Sequence, residues 1–308
     1  VELLKAQNGY DVTVKTDFTP AELKENINKY DVILIRSATK LTADVLEKAD
    51  NLKIVGRAGA GVDNVDISAA NKKNIVVMNT PLGNTVSTAE HTLALLMAVS
   101  RHIPQSYNSM KERLWDRKKY TGIELKDKTI GLIGTGNVGK TFARLLSGFN
   151  VKILGYDPFV PESEMKNLNI SSVTLDELLK KSDYISLHAK LTDQTKNIIN
   201  KNTLGKCKRG VYIINCARGP MVNTQDLLEA IKSGQVAGAA MDVFVTEPPN
   251  WEDPIFKNEK VVFTPHLAAS TKEAQENVAI QVAEQVITAL AGKGIINSVN
   301  IKDIKPKF

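Results

Sequence analysis

Three residues of different chemistry follow three successive apolar runs in the second half of the chain. Arg218 follows VYIINCA. Glu247 follows AGAAMDVF by a short loop and is fixed by Pro248 and Pro249. His266 follows VVFTP. The runs have strand length, and open parallel sheets bind ligands past the carboxyl ends of their strands. The three groups are therefore expected to converge on one crevice. Arg218 offers a planar fork suited to a carboxylate. His266 is one of only four histidines, and an imidazole with a usual pKa of about 6.5 takes or gives a proton near neutrality. Glu247 is placed to hydrogen-bond that imidazole, orient it and raise its pKa. Pro265 denies the chain a ladder hydrogen bond and ends the strand. The small residues after His266, Ala268 and Ala269 among them, leave room for a ligand. Such a set suits the oxidation of a secondary alcohol next to a carboxylate. His266 removes the hydroxyl proton, hydride leaves carbon 2 and Arg218 holds the acid. A lone histidine, arginine or glutamate at such a place is usually structural or solvated. Their coincidence on successive strand ends is what points to catalysis.

A departing hydride needs an acceptor, and GLIGTGNVGKTFARLLSGF supplies its site. The G-x-G-x-x-G pattern of Gly134, Gly136 and Gly139 closes an apolar strand and opens a helix, the context that gives the motif meaning. Phe142, Leu145, Leu146 and Phe149 share one helical face. Gly136 lets backbone approach a pyrophosphate, whose charge the N–H groups of the helix start would bind. Asp157 ends the next strand, near the roughly 20-residue offset of the acid that bonds an adenosine ribose. A carboxylate there repels a 2′-phosphate, so the cofactor is read as NAD rather than NADP. Of the other histidines, His91 sits in an apolar helix and reads as packing. His102 lies near that helix end, where a cation suits the dipole. His188 ends a strand and either borders the cofactor or fills core.

The elements that must position these residues alternate almost from end to end. DVTV (11–14), DVILIR (31–36), KIVGR (53–57) and IVVMN (75–79) read as short buried strands separated by helical patterns. One of these is TPAELKENINKY, with Thr19 as cap and Pro20 in the first turn. Ser87 is expected to open a long helix with Glu90 completing a capping box. A second series follows through KTIGLIG (128–134), VKILGYD (151–157), DYISLHA (183–189) and the three runs already named. After Ser270 the chain is helical again. This rhythm implies α/β architecture with two doubly wound parallel-sheet domains of Rossmann or flavodoxin type. Residues 82–267 form the nucleotide domain. Residues 1–81, with 268–308 returning to them, form a discontinuous substrate domain.

A chain of 308 residues, 43% hydrophobic and 24% charged, is long enough for two ordinary globular domains. The net charge of +6 reads as a lysine-rich solvated surface, or as a field favouring small anions. No basic block interleaved with aromatics points to nucleic acid, and no zinc-finger spacing points to a metal. No run approaches the roughly 20 apolar residues of a membrane span. Two cysteines, Cys207 and Cys216, fit a reducing, cytoplasmic compartment better than a disulfide framework.

Taken together, GxGxxG with Asp157, NCARG (215–219), DVFVTEPP (242–249) and TPHLAAST (264–271) resemble the D-isomer-specific 2-hydroxyacid dehydrogenases. RSATK (36–40), VGRAGAGVDNVD (55–66), VMNTP (77–81) and STKEAQENVA (270–279) are similar, more narrowly, to the branch that oxidises 3-phosphoglycerate with NAD. The resemblance covers essentially the whole chain. It implies two domains with a cleft between them and a homodimer built mainly through the nucleotide domain. It implies catalysis by Arg218, Glu247 and His266. It also implies cofactor contacts at Thr80, Asn137, Val138, Asp157, Cys216, Ala217, Asp242, Ala268 and Ala269.

In that branch the phosphate reading rests on Arg36, Ser37 and Lys40, placed just past a strand end, with Arg57 and Gly59 at the same mouth. The bland alternative, that Thr39 and Thr42 merely start a helix, leaves an arginine in a buried strand unexplained. WDRKKY (115–120) resembles a family segment that reaches a neighbouring subunit's site, although Trp115 could simply pack an interface. The family's first strand is expected before Val1, and the C-terminal regulatory extension of some relatives is not present in this sequence. Two other readings stay open. One is the same machinery acting on unphosphorylated acids, as hydroxypyruvate or glyoxylate reductase or D-lactate dehydrogenase. The other is a nucleotide-sensing module like the C-terminal-binding-protein corepressors.

Overall fold

The computed structural model describes all residues from Val1 to Phe308. Its internal packing falls into two units. The first is Val1–Asn84 with Thr271–Phe308, and the second is Thr85–Ser270.

The first unit is built on three parallel strands, β1 (Val32–Ile35), β2 (Ile54–Arg57) and β3 (Val76–Asn79), in the order β1-β2-β3. Alternation along each strand sends side chains to two faces. Ile35, Val55 and Val77 join Leu23, Ile27, Leu41, Leu46 and Ala70 in one core. Ile54, Val76 and Met78 meet Val286 and Ala289 of the Lys272–Leu290 helix in the other. Both faces are thus covered, which is why these strands read as continuous apolar runs. The Pro20–Asn26 helix starts as its sequence requires. Thr19 accepts from the Glu22 N–H while the Glu22 carboxylate accepts from the Thr19 N–H. Residues 11–14 form no strand. The run pairs with no other strand, and Val14 is exposed. Along the outer edge of β3 runs a short return of the chain. There Ser298 bridges Met78, and Asn300, almost fully buried, bonds the Val77 N–H and the Ile75 carbonyl.

The second unit carries β4 (Thr129–Ile133), β5 (Lys152–Tyr156), β6 (Ile170–Ser172), β7 (Tyr184–Leu187), β8 (Val211–Asn215), β9 (Val236–Met241) and β10 (Val261–Phe263). All pair in parallel, in the order β10-β9-β8-β7-β4-β5-β6. The order reverses between β4 and β7, the switch point where such sheets open a ligand crevice. Helices Thr85–Ser100 and Asn137–Leu145 cover one face over Ile130, Leu132, Ile214 and Ala240. Helices Leu175–Lys181, Lys201–Lys206 and Thr224–Lys232 cover the other over Ile185, Ile213 and Ala239. Two details differ from the sequence reading. β6 is a three-residue strand with two exposed serines, too short and polar to register as an apolar run. The long helix begins at Thr85, so Ser87 lies buried inside its first turn rather than at the N-cap position. No helix is long and apolar enough to cross a membrane.

Candidate active site

At the carboxyl end of β4 the three glycines serve three different physical needs. Gly134 has φ +95°, and a Cβ there would sit 2.5 Å from the Ala189 nitrogen. Gly139 lies against the strand, where a Cβ would meet the Gly134 carbonyl oxygen at 2.4 Å. Gly136 faces open space, with nothing within 4 Å of its missing side chain. It also precedes the Asn137–Leu145 helix, whose start no side chain caps. The sheet thus presents an approachable turn, a positive helix end, exposed Asn137 and half-buried Val138. Asp157, just past β5, accepts from the Thr135 N–H at 2.8 Å and the Phe159 N–H at 3.0 Å. Each carboxylate oxygen keeps a free lone pair. An open glycine, an uncapped helix start and a tethered acid are what a dinucleotide needs, so these residues fit that cofactor. Beneath the loop, His188 packs on Phe142 with ring centroids 5.1 Å apart and its Nε2 2.9 Å from Ser186 Oγ. Burial pushes its imidazole down to about 3, so it is neutral packing.

The expected catalytic residues lie past β8, β9 and β10, three neighbours in the sheet. Asn215, fully buried at the end of β8, accepts from the Ala217 N–H and donates to the Arg218 carbonyl. That bracket turns the chain so that Arg218 is half-buried, with Nη1 2.7 Å from the Ala217 carbonyl. Gly219 then lies so close to the next loop that a Cβ would fall 2.0 Å from the Phe244 carbonyl carbon. In that loop the Phe244 N–H donates to Glu247 Oε1 at 3.1 Å. The other carboxylate oxygen, Oε2, is 2.6 Å from His266 Nδ1. A carboxylate only accepts, so Nδ1 carries the hydrogen and Nε2 is left to exchange protons. Both partners are partly open to solvent, with side chains 45% and 38% exposed. An exposed pair contributes about 0–1 kcal/mol of stability at most, so the contact serves orientation. Phe244, Phe256, Phe263 and Trp251 stack in tilted pairs 4.8–6.2 Å apart behind this loop.

His266 itself has φ +54°, a left-handed backbone uncommon outside glycine. Asp242 holds it there. The Asp242 carbonyl accepts from the His266 N–H at 2.8 Å. The Asp242 carboxylate accepts from Thr264 Oγ1 at 2.5 Å, the Leu267 N–H at 2.7 Å and the Ala268 N–H at 2.9 Å, and His91 Nε2 lies 3.2 Å away. Burial alone would push this carboxyl up. The hydrogen bonds from His91, Thr264, Leu267 and Ala268 outweigh it and hold Asp242 below the usual carboxylate range. Asp242 was expected at the cofactor. Its side chain is fully buried, and its oxygens bond the His266 loop. Cys216, expected there too, is nearly covered, and burial pushes its thiol up to about 12. Ala217 and Ala269 remain partly accessible, whereas Ala268 is buried.

In the first unit, Arg36, Ser37 and Lys40 are all exposed beyond β1. Asn64 Nδ2 clamps their loop by donating to the Arg36 carbonyl at 3.0 Å and the Thr39 carbonyl at 2.7 Å. Arg36 is therefore not in a buried strand, and that part of the phosphate argument falls away. Thr42, not Thr39, precedes the Ala43–Leu46 turn, and its hydroxyl bonds Asp44. Arg57 ends β2 half-buried, its guanidinium filling the place where a Gly59 side chain would be. The Gly59 N–H donates to Thr80 Oγ1 at 2.7 Å, and the Thr80 N–H donates back to the Gly59 carbonyl at 3.0 Å. Thr80 is fully buried in this tie. Trp115 is 74% exposed beside the Ile103–Lys111 helix, which also presents Ile103, Tyr107 and Met110.

Residues 93–268 match the family model described as D-isomer specific 2-hydroxyacid dehydrogenase, NAD binding domain. The chain is similar to the D-3-phosphoglycerate dehydrogenase of Archaeoglobus fulgidus, 47% identical over 300 residues, covering 97% of this chain and 57% of that one. It is 43% identical over 302 residues to the D-3-phosphoglycerate dehydrogenase of Bacillus subtilis, covering 96% and 57%. This chain thus spans little more than half the length of those relatives. Among solved structures it is similar to the D-lactate dehydrogenase of Aquifex aeolicus complexed with NAD and lactic acid. That likeness has a TM-score of 0.80 and 31% identity over 90% of this chain and 88% of that one. With the glycine turn, the ribose-type acid and the paired glutamate and histidine all on the matched segment, this chain belongs to the D-isomer specific 2-hydroxyacid dehydrogenase family.

Proposed function

We propose that this chain catalyses the NAD-dependent oxidation of 3-phosphoglycerate to 3-phosphohydroxypyruvate, the entry to serine synthesis. The observation that carries the reading is the 2.6 Å contact of Glu247 with His266 Nδ1, two strands from the Arg218 loop and in the same sheet as the glycine turn. The similarity to D-3-phosphoglycerate dehydrogenases supports the substrate. Bound NAD supplies the hydride acceptor. His266 Nε2 takes the hydroxyl proton as the C2–H pair departs, leaving a 2-oxo acid. Glu247 keeps the ring in the tautomer that can accept that proton and stabilises the imidazolium that results. Arg218 pairs with the carboxylate. Arg36, Ser37 and Lys40 supply donors and charge for the phosphate, with Arg57 and Gly59 beside them. The first unit is assigned to substrate and the second to cofactor. A homodimer is proposed through the apolar surface of Ile103, Tyr107, Met110 and Trp115. A cytoplasmic setting agrees with two unpaired, buried cysteines.

One observation favours a second reading, turnover of an unphosphorylated acid: Arg36 and Lys40 are exposed rather than built into the core. The test is NADH absorbance with 3-phosphoglycerate, 3-phosphohydroxypyruvate, hydroxypyruvate, glyoxylate and pyruvate. The phosphorylated pair is expected to dominate. Replacing Arg36 and Lys40 by alanine is expected to raise KM at least about tenfold, the scale of one lost charged hydrogen bond. Preference for the unphosphorylated acids would leave the His266 chemistry and remove the phosphate site. Tight NADH binding with no turnover would place the chain among nucleotide-sensing modules.

A further inference from the structure

Resting on that catalytic reading, we propose that His91 is a positioning residue for the proton-transfer histidine and acts through Thr264 and Asp242. His91 lies in the Thr85–Ser100 helix, which packs against β8, β9 and β10 of the same unit. Its Nε2 is 3.0 Å from Thr264 Oγ1 and 3.2 Å from Asp242 Oδ1. The hydrogens here are determined by elimination. The Thr264 hydroxyl has one hydrogen and donates it to Asp242 Oδ1. The Asp242 carboxylate only accepts. Nε2 must therefore carry a hydrogen and share it between Thr264 Oγ1 and Asp242 Oδ1.

This donor sits at the root of the catalytic loop. Thr264 lies two residues before His266, and Asp242 bonds the backbone of His266, Leu267 and Ala268. A left-handed, non-glycine backbone is strained and persists only when its surroundings over-determine it. His91 is the one side chain from a helix in this set of ties. It anchors the loop to a rigid element rather than to another loop. Without its donor, Thr264 loses a partner and Asp242 loses one of the bonds that keep its charge buried. The His266 loop then relaxes, and Nε2 drifts from the bond it must service. A misplacement of about 1 Å near a reacting bond costs on the order of 100-fold in rate.

Three single variants and one double variant test this. His91→Leu removes the donor. His91→Gln returns an amide N–H at about the place of the ring Nε2. Thr264→Val removes the hydroxyl relay. Steady-state kcat and KM would be measured with NADH and the preferred 2-oxo acid of the panel above, NADH affinity by fluorescence titration and folding by circular dichroism. His91→Leu and Thr264→Val are each expected to lower kcat about tenfold to 100-fold with NADH affinity within about threefold of the parent, while His91→Gln stays within about threefold in kcat. The double variant His91→Leu/Thr264→Val is expected to be no worse than its poorer parent, as for two groups in one chain of contacts. The proposal is overturned if folded His91→Leu keeps its kcat, if His91→Gln is as impaired as His91→Leu, or if the double variant is additive. Should His91→Leu not fold, an active His91→Gln beside an impaired Thr264→Val still supports the relay, and a fully active Thr264→Val removes it. His266→Gln is run in parallel. If it retains the parental rate, the catalytic reading itself fails. If it is inactive while His91→Leu is not, only the role of His91 fails.

Discussion

Asp157 tethers the glycine turn through the Thr135 N–H, and in the proposed function the same carboxylate bonds the ribose of NAD. Replacing it with serine keeps a hydrogen-bonding group and removes the charge that opposes a 2′-phosphate. The kcat/KM ratio for NADP over NAD is expected to rise at least about tenfold, read from initial rates with both cofactors. His188 makes a different kind of expectation. Its folded pKa is lowered to about 3 from the usual 6.5. Below about pH 6.5 the unfolded chain takes up a proton that the folded chain refuses. Stability therefore falls with pH, by about 1.4 kcal/mol per unit, until pH nears the folded value. His188→Gln removes that slope. Between pH 7 and pH 5 the parent is expected to lose about 2 kcal/mol more than the variant in urea unfolding. At this scale the sequence was informative about placement, putting Arg218, Glu247 and His266 just past three strand ends where the structure has them. It was silent wherever a role depends on a distant partner. His91 read as packing because its hydrogen-bond partner Thr264 lies 173 residues away. The bracing of the His266 loop by Asp242 was out of reach too, because its neighbours in sequence do not tell which way its carboxylate turns.

Elements were legible in proportion to their burial on both faces. β4, β7, β8 and β9 are covered by helices on each side, so they appear as unbroken apolar runs with small errors at their ends. Residues 11–14 offered alternation without burial, and β6 is too short and polar to show any pattern. The edge of β3 shows what periodicity cannot reveal. Residues 297–300 close that edge through hydrogen bonds rather than hydrophobic contact, with the Asn79 N–H on the Asn297 carbonyl and the Val299 N–H on the Val77 carbonyl. Asn300 completes the seal with bonds to Val77, Ile75 and Asn71. Asn300→Ala leaves a buried donor and a buried acceptor unmade. It is expected to destabilise the first unit by about 2–6 kcal/mol, at roughly 1–3 kcal/mol for each unsatisfied group. Urea denaturation checks this, and a cost under about 0.5 kcal/mol would mean that water replaces the lost bonds.

At the scale of the molecule, the α/β class was readable because alternating strands and helices admit few other architectures, and the family through the motifs NCARG, DVFVTEPP and TPHLAAST. The covering of β2 and β3 by a helix from the far end of the chain rests on non-local packing of Val286 and Ala289 against Ile54 and Met78. The glycine turn and Asp157 both lie on the second unit. NADH at 100 times its Kd is expected to slow hydrogen exchange in β4, β5 and β7 by about 100-fold, and to slow β1 and β2 much less. Equal protection throughout would mean that the two units unfold as one. The division has a further consequence, for the order in which a ribosome releases the chain. Every residue of the second unit has been synthesised by Ser270, whereas the first unit still lacks the Lys272–Leu290 helix and the 297–300 seal. Nascent domains fold as they emerge, usually starting from the N-terminus. Here the apolar face of Ile54, Val76 and Met78 stays bare until the Lys272–Leu290 helix has been made, so the unit begun first closes its core only after the second unit is complete.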